Sequence, residues 1–305
     1  MNGVNRSVLA ADFLAQAPAL RSTFTERMQR RRPYDERSFV WDYWHVPDQY
    51  TYFRTFGERY FPDPLSAALM ARLRAWGTEV LGCGSVTAPW LSYYIDGCVQ
   101  ELHCDVPHGP WAYVLSLTDW EHRGFSGGET LLLRPTCLDF WRDFDPSRGL
   151  EAGDLVDQIV PAFNQLTVFD ARIPHGVRTV FGTRDPLRGR LVLHGWFAAP
   201  RIMVHEDLRG ERTLIALQLI LAHLLPRLQA SDAVVGHLTV RLELDAAGEV
   251  RDTRVLTNTL ISTTGDGEAP AVLVNRVLQT LRQAKVPGAS DGSWAILPFA
   301  LPTVA

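Results

Sequence analysis

From residue 91 onward the chain breaks into short apolar runs separated by turn-forming residues, and this pattern constrains the fold more than any other feature. LSYYI, WAYVLSLT, ETLLLRP, NQLTVFD, VRTVF and RLVLHGWF each have the length and the β-branched or aromatic content of a strand. Regularly spaced strands of this kind point to a sandwich or jelly roll. Upstream the texture differs. Residues 8–32 and 63–80 have helix-like spacing, and PDPLSAALMARLRAWGTEVL repeats Leu65, Leu69, Leu73 and Trp76 at intervals of three and four behind an initial proline and aspartate. An aromatic-rich stretch, FVWDYWHVPDQYTYFRTFGERYF, lies between the two.

A second unit begins near residue 201. LIALQLILAHLLPRLQ reads as a helix and HLTVRLELDAAGEVRDTRVL as a hairpin turning at DAAG. AVLVNRVLQTLRQAK reads as an amphipathic helix with Leu273, Val277, Leu278 and Leu281 on one side, and SWAILPFALP as a last strand. The expected division is therefore residues 1–200 and residues 201–305, with the boundary near Ala199 to Glu206 and the second part a small α+β domain. STTGDGEAPA is the one insert whose composition reads as flexible.

Composition narrows the function classes. The chain has 305 residues, 46% apolar and 21% charged, as in a soluble globular protein with a sizeable core. A formal charge of −4 gives no electrostatic case for nucleic acid or an anionic membrane. Lys285 is the only lysine, and the arginines are scattered except for ERMQRRRP (Arg27 to Arg32), which reads as a solvated helix face. Cys83, Cys98, Cys104 and Cys137 form no CxxC pair, so neither a zinc ribbon nor a disulfide scaffold follows. The N-terminus lacks the pattern of a signal peptide. The apolar run TLIALQLILAHLL, about 13 residues, is too short to span a bilayer. A reducing, cytoplasmic setting is expected.

The chemistry gathers in ELHCDVPHGP, residues 101–110. His103 and Asp105 stand at i and i+2, which in a strand places both side chains on one face. Alone they read equally as a surface pair at a strand end. His175, 72 positions after His103 in IPHGVRTVF, supplies a third arm. Two histidines and one carboxylate leave coordination positions open, the facial arrangement of non-haem Fe(II) oxygenases. His108, beyond Pro107, reads as loop, and Cys104 as packing on the opposite face. His194 shares the parity of Arg190 on RLVLHGW; it reads as a satisfied core histidine or as a cavity wall. His122 and His205 have no partner pattern. GFSGG (residues 124–128) matches the GxSxG elbow of serine hydrolases, but a strand-like ETLLLRP follows where that elbow needs a helix, so Ser126 reads as turn chemistry. Trp41, Tyr43, Trp44, Tyr50, Tyr52 and Phe53 read as core packing before they read as a pocket wall.

Residues 91–197 resemble the Fe(II)- and 2-oxoglutarate-dependent dioxygenases, most closely the prolyl-hydroxylase-like branch. Five marks agree in order: Tyr94-Ile-Asp-Gly97 before the first histidine, HCD as HxD, GGETLLL as a glycine-glycine-acid turn into a strand, FDARIPHGV delivering the distal histidine, and RLVLHGWF as the last core strand. The resemblance implies a mainly β fold, a double-stranded β-helix (jelly-roll or cupin-like) core with flanking helices. It implies Fe(II) held by His103, Asp105 and His175, with 2-oxoglutarate as cosubstrate and O2 as oxidant. It implies hydroxylation of an unactivated C–H on an amino acid, peptide or small natural product, with release of succinate and CO2. The presence of Asp105 argues against the halogenating relatives. The distal carboxylate of the cosubstrate needs a buried cation, best met by a guanidinium fork. Arg184, Arg188 and Arg190 are candidates. Spacing from His175 favours Arg184; strand register before Trp196 favours Arg190, which is preferred. Tyr94 is a second expected contact.

The C-terminal part weakly resembles the C-terminal domain of TonB-type energy transducers, through GHLTVRLELDAAGEV, the following helix and ILPFALP. With no membrane anchor in view, a transducer role does not carry over. A surface for a partner, a peptide or a second copy of the chain is one reading; a stabilising domain is the other. The rival reading of the whole chain is a non-catalytic, cupin-like or transducer-like binding module with a vestigial metal site.

Overall fold

The computed structural model describes residues 6–30, 41–137, 147, 152–229 and 234–301. The chain forms two compact units. One comprises Ser7–Arg74 and Val86–Ala198; the other comprises Ala199–Ala305 with Ala75–Ser85 and Met1–Arg6.

Among the described residues twelve strands precede residue 201: β1 (Ser7–Ala10), β2 (Asp42–Val46), β3 (Tyr50–Phe56), β4 (Cys83–Val86), β5 (Trp90–Tyr94), β6 (Val99–His103), β7 (Trp111–Ser116), β8 (Thr130–Leu133), β9 (Val156–Ile159), β10 (Leu166–Asp170), β11 (His175–Val177) and β12 (Arg190–Pro200). The sheet runs in the order β1-β10-β7-β12-β5-β3-β6-β11-β8-β9. Every pairing in this series is antiparallel. The order separates two quartets, β10-β7-β12-β5 and β6-β11-β8-β9. From β5 to β12 the chain passes back and forth between them, staying in the same quartet only from β8 to β9. That winding is a double-stranded β-helix, and the first unit is mainly β with flanking helices. β3 joins the quartets by pairing with both β5 and β6.

The inner strands are largely buried on both faces, one against apolar cover and the other around a cavity. Leu191, Leu193 and Phe197 of β12 are fully buried, as are Leu166, Val168 and Phe169 of β10. Part of the cover is the helix Ala17–Gln29, which buries Ala17, Leu20 and Phe24. The Phe24 ring lies 6.4 Å from that of Tyr93 on β5 and 6.2 Å from Tyr60.

The second unit contains the elements read from sequence after residue 201, and it also takes in Ala75–Ser85, which the sequence reading placed in the first part. It contains the helices Glu211–Gln229 and Ala269–Arg282, with β13 (Met203–Val204), β14 (Val234–Leu244), β15 (Val250–Asn258), β16 (Ile261–Ser262) and β17 (Trp294–Leu301). The sheet order is β13-β17-β14-β15, with β16 also against β14. At DAAG, Asp245 Oδ1 accepts the N–H groups of Ala247 and Glu249, and Gly248 takes φ +76°, which only glycine adopts without strain. Leu273, Val277 and Leu281 pack with Leu217, Leu224 and Leu238, while Leu278 is only partly buried.

Four sequence readings change. Residues 8–32 are not one helix: Ser7–Ala10 is an edge strand on β10, the helix starts at Ala17 beside Pro18, and Arg31 and Arg32 lie outside the described residues. The aromatic stretch is a β-hairpin, β2 against β3, because its aromatics alternate in strand fashion. VRTVF contributes only Val177 to β11; Phe181 makes an isolated bridge to Ser126. Asp105 lies past the end of β6, where Val106–His108 forms a single 3-10 turn and the Asp105 N–H bonds to the Ala171 carbonyl. Among the described residues no helix is long and apolar enough to cross a membrane.

Strand β11 is short and squeezed between β6 and β8. A Cβ on Gly176 would sit 2.5 Å from the Gln100 carbonyl oxygen. Gly176→Ala is expected to cost about 2 kcal/mol through backbone displacement, read as a thermal midpoint lower by roughly 5 °C. Gly153→Ala, where an added Cβ meets nothing within 4 Å, serves as the unchanged control.

Candidate metal centre

The pairing of β6 with β11 puts His103 directly opposite His175. Residues opposed across an antiparallel pair share a face of the sheet, and the two imidazole centroids lie 4.5 Å apart. Each ring is fixed by its own backbone. His103 Nδ1 is 2.8 Å from the Glu101 carbonyl oxygen and His175 Nδ1 is 2.8 Å from that of Ile173. A carbonyl can only accept, so both Nδ1 atoms carry the proton and both Nε2 atoms present a lone pair. Such backbone bonds to the remote nitrogen are the usual support of ligating histidines.

Asp105 completes the group from the turn after β6. Its Oδ2 is 3.2 Å from His175 Nε2, and its Oδ1 is 3.7 Å from His103 Nε2. The donor atoms all lie within 4.8 Å of one another. Two lone pairs facing a carboxylate at these distances form a donor set suited to a cation. Trp196 Nε1–H donates to Asp105 Oδ2 at 3.1 Å and orients the carboxylate. Burial pushes the Asp105 carboxyl up; His175 and His103, to the extent either is protonated, and the Trp196 Nε1–H pull it down, and the net direction is below the usual carboxylate value. Burial and the neighbouring His175 push His103 down, keeping it neutral and able to ligate. Two imidazoles and a carboxylate, converging from one side, fit a hexacoordinate Fe(II) with half its sphere open to other ligands.

The three residues open onto a cavity of ≈ 200 Å³ that also reaches Arg190 and Tyr94. Arg190 is 1% exposed. Its Nη2 donates to Thr130 Oγ1 at 3.3 Å, and its Nε and Nη1 have no hydrogen-bond partner among the described residues. Its guanidinium lies 4.6 Å from the centroid of the Tyr94 ring. A buried cation with donors unmet is costly, so the site is built for an anion. The Tyr94 hydroxyl donates to Gln100 Oε1 at 2.9 Å, and burial pushes its phenol up, so it stays protonated. The structure thus brings His103, Asp105, His175, Tyr94 and Arg190 to one cavity. It leaves Arg184 at the surface, with its side chain 88% exposed and 3.8 Å from Asp96. Arg188 lies in the turn Pro186–Arg188 and does not line the cavity.

His194 lines the same cavity and is also satisfied, with Nε2 2.9 Å from Ser92 Oγ. Burial pushes it down to about 3, with Asp105 opposing and Arg190 and Arg54 acting in the same direction as burial, so it is neutral. His108 stacks on Trp196 with centroids 4.3 Å apart. Cys104 is exposed and donates to the Arg172 carbonyl at 3.2 Å, so it is not the packing residue its parity suggested. Ser126 is followed by β8 rather than a helix, so no nucleophile elbow forms. Trp44, Tyr50 and Tyr52 line the cavity, while Trp41 and Phe53 pack on Tyr93. Sequence reasoning assigned no site role to Trp196, Gln100, Thr130 or Arg54. For Trp196 the signal was present, since positions 190, 192, 194 and 196 share one face of β12. For the others, only tertiary packing shows that their strands border the cavity.

No protein-family model and no curated protein matches this chain. Solved structures of similar shape exist. A prolyl-4-hydroxylase from Pseudomonas putida aligns over 63% of this chain and 92% of its own at 18% identity and a TM-score of 0.41. A Trichoplax adhaerens prolyl hydroxylase, in complex with a hypoxia inducible factor peptide fragment, aligns over 64% and 84% at 14% identity and a TM-score of 0.42. A 2OG-Fe(II) oxygenase family oxidoreductase from Burkholderia pseudomallei aligns over 63% and 85% at 17% identity and a TM-score of 0.40. At these scores the functional reading rests on the site itself.

Proposed function

We propose that this chain is an Fe(II)- and 2-oxoglutarate-dependent dioxygenase that hydroxylates an unactivated C–H of an amino acid, a peptide or a small natural product and releases succinate and CO2. One observation carries the reading: a His-Asp-His donor set with its Nε2 lone pairs exposed shares a cavity with a buried arginine whose donors are unmet. An open-faced metal centre alone would suit many activities, and a buried arginine alone would suit any anion. Together they match a cosubstrate that chelates iron at one end and carries a free carboxylate at the other.

In this reading, iron with its cosubstrate supplies the oxidising chemistry, and the chain supplies placement. His103, Asp105 and His175 hold the metal, with Trp196 keeping one carboxylate oxygen in position. Arg190 takes the distal carboxylate at its Nη1 end, on a strand buried on both faces that allows it little movement. Tyr94 supports the guanidinium from beneath and, being protonated, adds no competing negative charge. The neutral His194, tied to Ser92, gives the cavity a polar wall without a second charge at that position.

Anaerobic addition of Fe(II) and 2-oxoglutarate is expected to produce a weak visible charge-transfer band, and admission of O2 to yield succinate even without substrate. Asp105→Ala and His175→Ala are each expected to lower succinate formation by about 100-fold or more through loss of a metal ligand. A protein that binds the metal yet shows neither band nor succinate is instead the binding module.

Arg190→Met is expected to raise the 2-oxoglutarate concentration at half saturation by roughly 30-fold, the equivalent of about 2 kcal/mol for charged hydrogen bonds lost. Arg184→Met is expected to leave it unchanged, because that side chain is at the surface.

A further inference from the structure

The β2–β3 hairpin brings a second arginine to the cavity. Tyr50, Tyr52 and Arg54 alternate along β3, and all three line the cavity with Trp44 of β2 and Trp90 of β5. The Arg54 guanidinium carbon lies 3.6 Å from the centroid of the Trp44 ring and 4.3 Å from that of Trp90. Contacts this close to two indoles fix the plane of the guanidinium and leave hydrogen bonding to its edges. On one edge Nε donates to Asp42 Oδ2 at 3.1 Å. The Arg54 side chain is 17% exposed and that of Asp42 is 48% exposed. The partner carboxylate is thus half in water and makes a single-point contact where a guanidinium can offer two. The Tyr52 hydroxyl is the other polar group beside it.

Charge balance asks what Arg54 is for. In the oxygenase reading, the ion contributes two positive charges and Asp105 one negative. The cosubstrate contributes two negative charges and Arg190 one positive, and these cancel. Arg54 is the remaining cation on the cavity wall, offset only by a half-solvated Asp42. A neutral substrate would have to desolvate this guanidinium without return. A carboxylate would engage it along a preformed edge between aromatic walls. The cavity, ≈ 200 Å³, is below the range of roughly 300–1,000 Å³ usual for ligand pockets. Beside a five-carbon diacid it leaves room for a small molecule only.

We propose that Arg54, held by Trp44 and Trp90, binds the carboxylate of the substrate, so that the substrate is a small organic acid such as a free amino acid. The proposal rests on the oxygenase reading for what else occupies the cavity, and its test is separable from that reading. Purified full-length protein, saturated with Fe(II) and 2-oxoglutarate under anaerobic conditions, is titrated with a panel of non-aromatic free amino acids and with their C-terminal amides. Binding is followed by tryptophan fluorescence, since Trp44 and Trp90 touch the proposed anchor, and by calorimetry.

At least one amino acid is expected to bind about 10-fold or more tightly than its amide. Arg54→Gln is expected to abolish that preference, and Arg54→Lys to retain a weakened form of it because the planar fork is lost. Asp42→Asn, at a half-exposed position, removes the competing negative charge while its Oδ1 can still accept from Nε, and is expected to tighten binding about 3-fold; it keeps the proposal testable should the Arg54 variants fail to fold. The proposal is overturned if no amino acid binds, if amides bind as tightly as acids, or if Arg54→Gln or Asp42→Asn binds as the unmodified protein does. Loss of the charge-transfer band with Arg54-dependent binding intact would instead remove the oxygenase reading and leave the carboxylate site standing. Under that outcome, Arg190→Met retains amino-acid binding.

Discussion

The cross-strand pairing of His103 with His175 is the constraint on which the site depends. Residues 72 apart in the chain become neighbours because β6 and β11 pair with His103 opposite His175, ahead of a register shift before Val177, and a slip of one position at the pair would turn one of the rings to the opposite face. That register is held tightly: β11 has only three residues, is paired on both sides, and passes so close to β6 that Gly176 has no space for a side chain. Rigidity here is a property of backbone, so the imidazoles inherit it through their Nδ1 bonds to the carbonyls two residues upstream.

A second principle organises the cavity. Charges in it are either opposed by a neighbour or left waiting for a ligand. The indole N–H of Trp196 holds one oxygen of Asp105, and His194 is kept neutral by burial. Arg190 alone is fully buried with donors unmet, while Arg54 has one edge engaged and its faces covered by indoles. The result is a wall whose polarity is assigned position by position. The unmet donors are where a ligand's charge would be met.

The C-terminal unit obeys simpler rules. Its hairpin, helices and closing strand follow directly from alternation, heptad-like spacing and the Asp-Ala-Ala-Gly turn, and its core is a single cluster of aliphatic side chains. Nothing in that cluster carries reactive chemistry. The weak resemblance to transducer domains assigns this unit no role, and the surface for a partner or second copy that was expected of it stays a proposal.

By itself the sequence determined the succession of strands from residue 91, the helix after Asp63 and the elements after residue 201, and it singled out His103, Asp105 and His175, which the structure brings together. Local periodicity and residue chemistry are short-range properties, and these features depend on little else. It did not determine that Ser7–Ala10 is an edge strand, that the aromatic stretch is a hairpin, or that Asp105 stands in a turn rather than in β6. A four-residue edge strand has too few positions to show a period, and an aromatic hairpin and a helix-packing segment carry the same composition. The choice between Arg184 and Arg190 also lay beyond spacing, because both fall within reach of His175 along the chain. Tertiary structure separates them: one guanidinium is in water, and the other is buried in the cavity. Burial is a property of the assembled sheet, which no window of sequence contains.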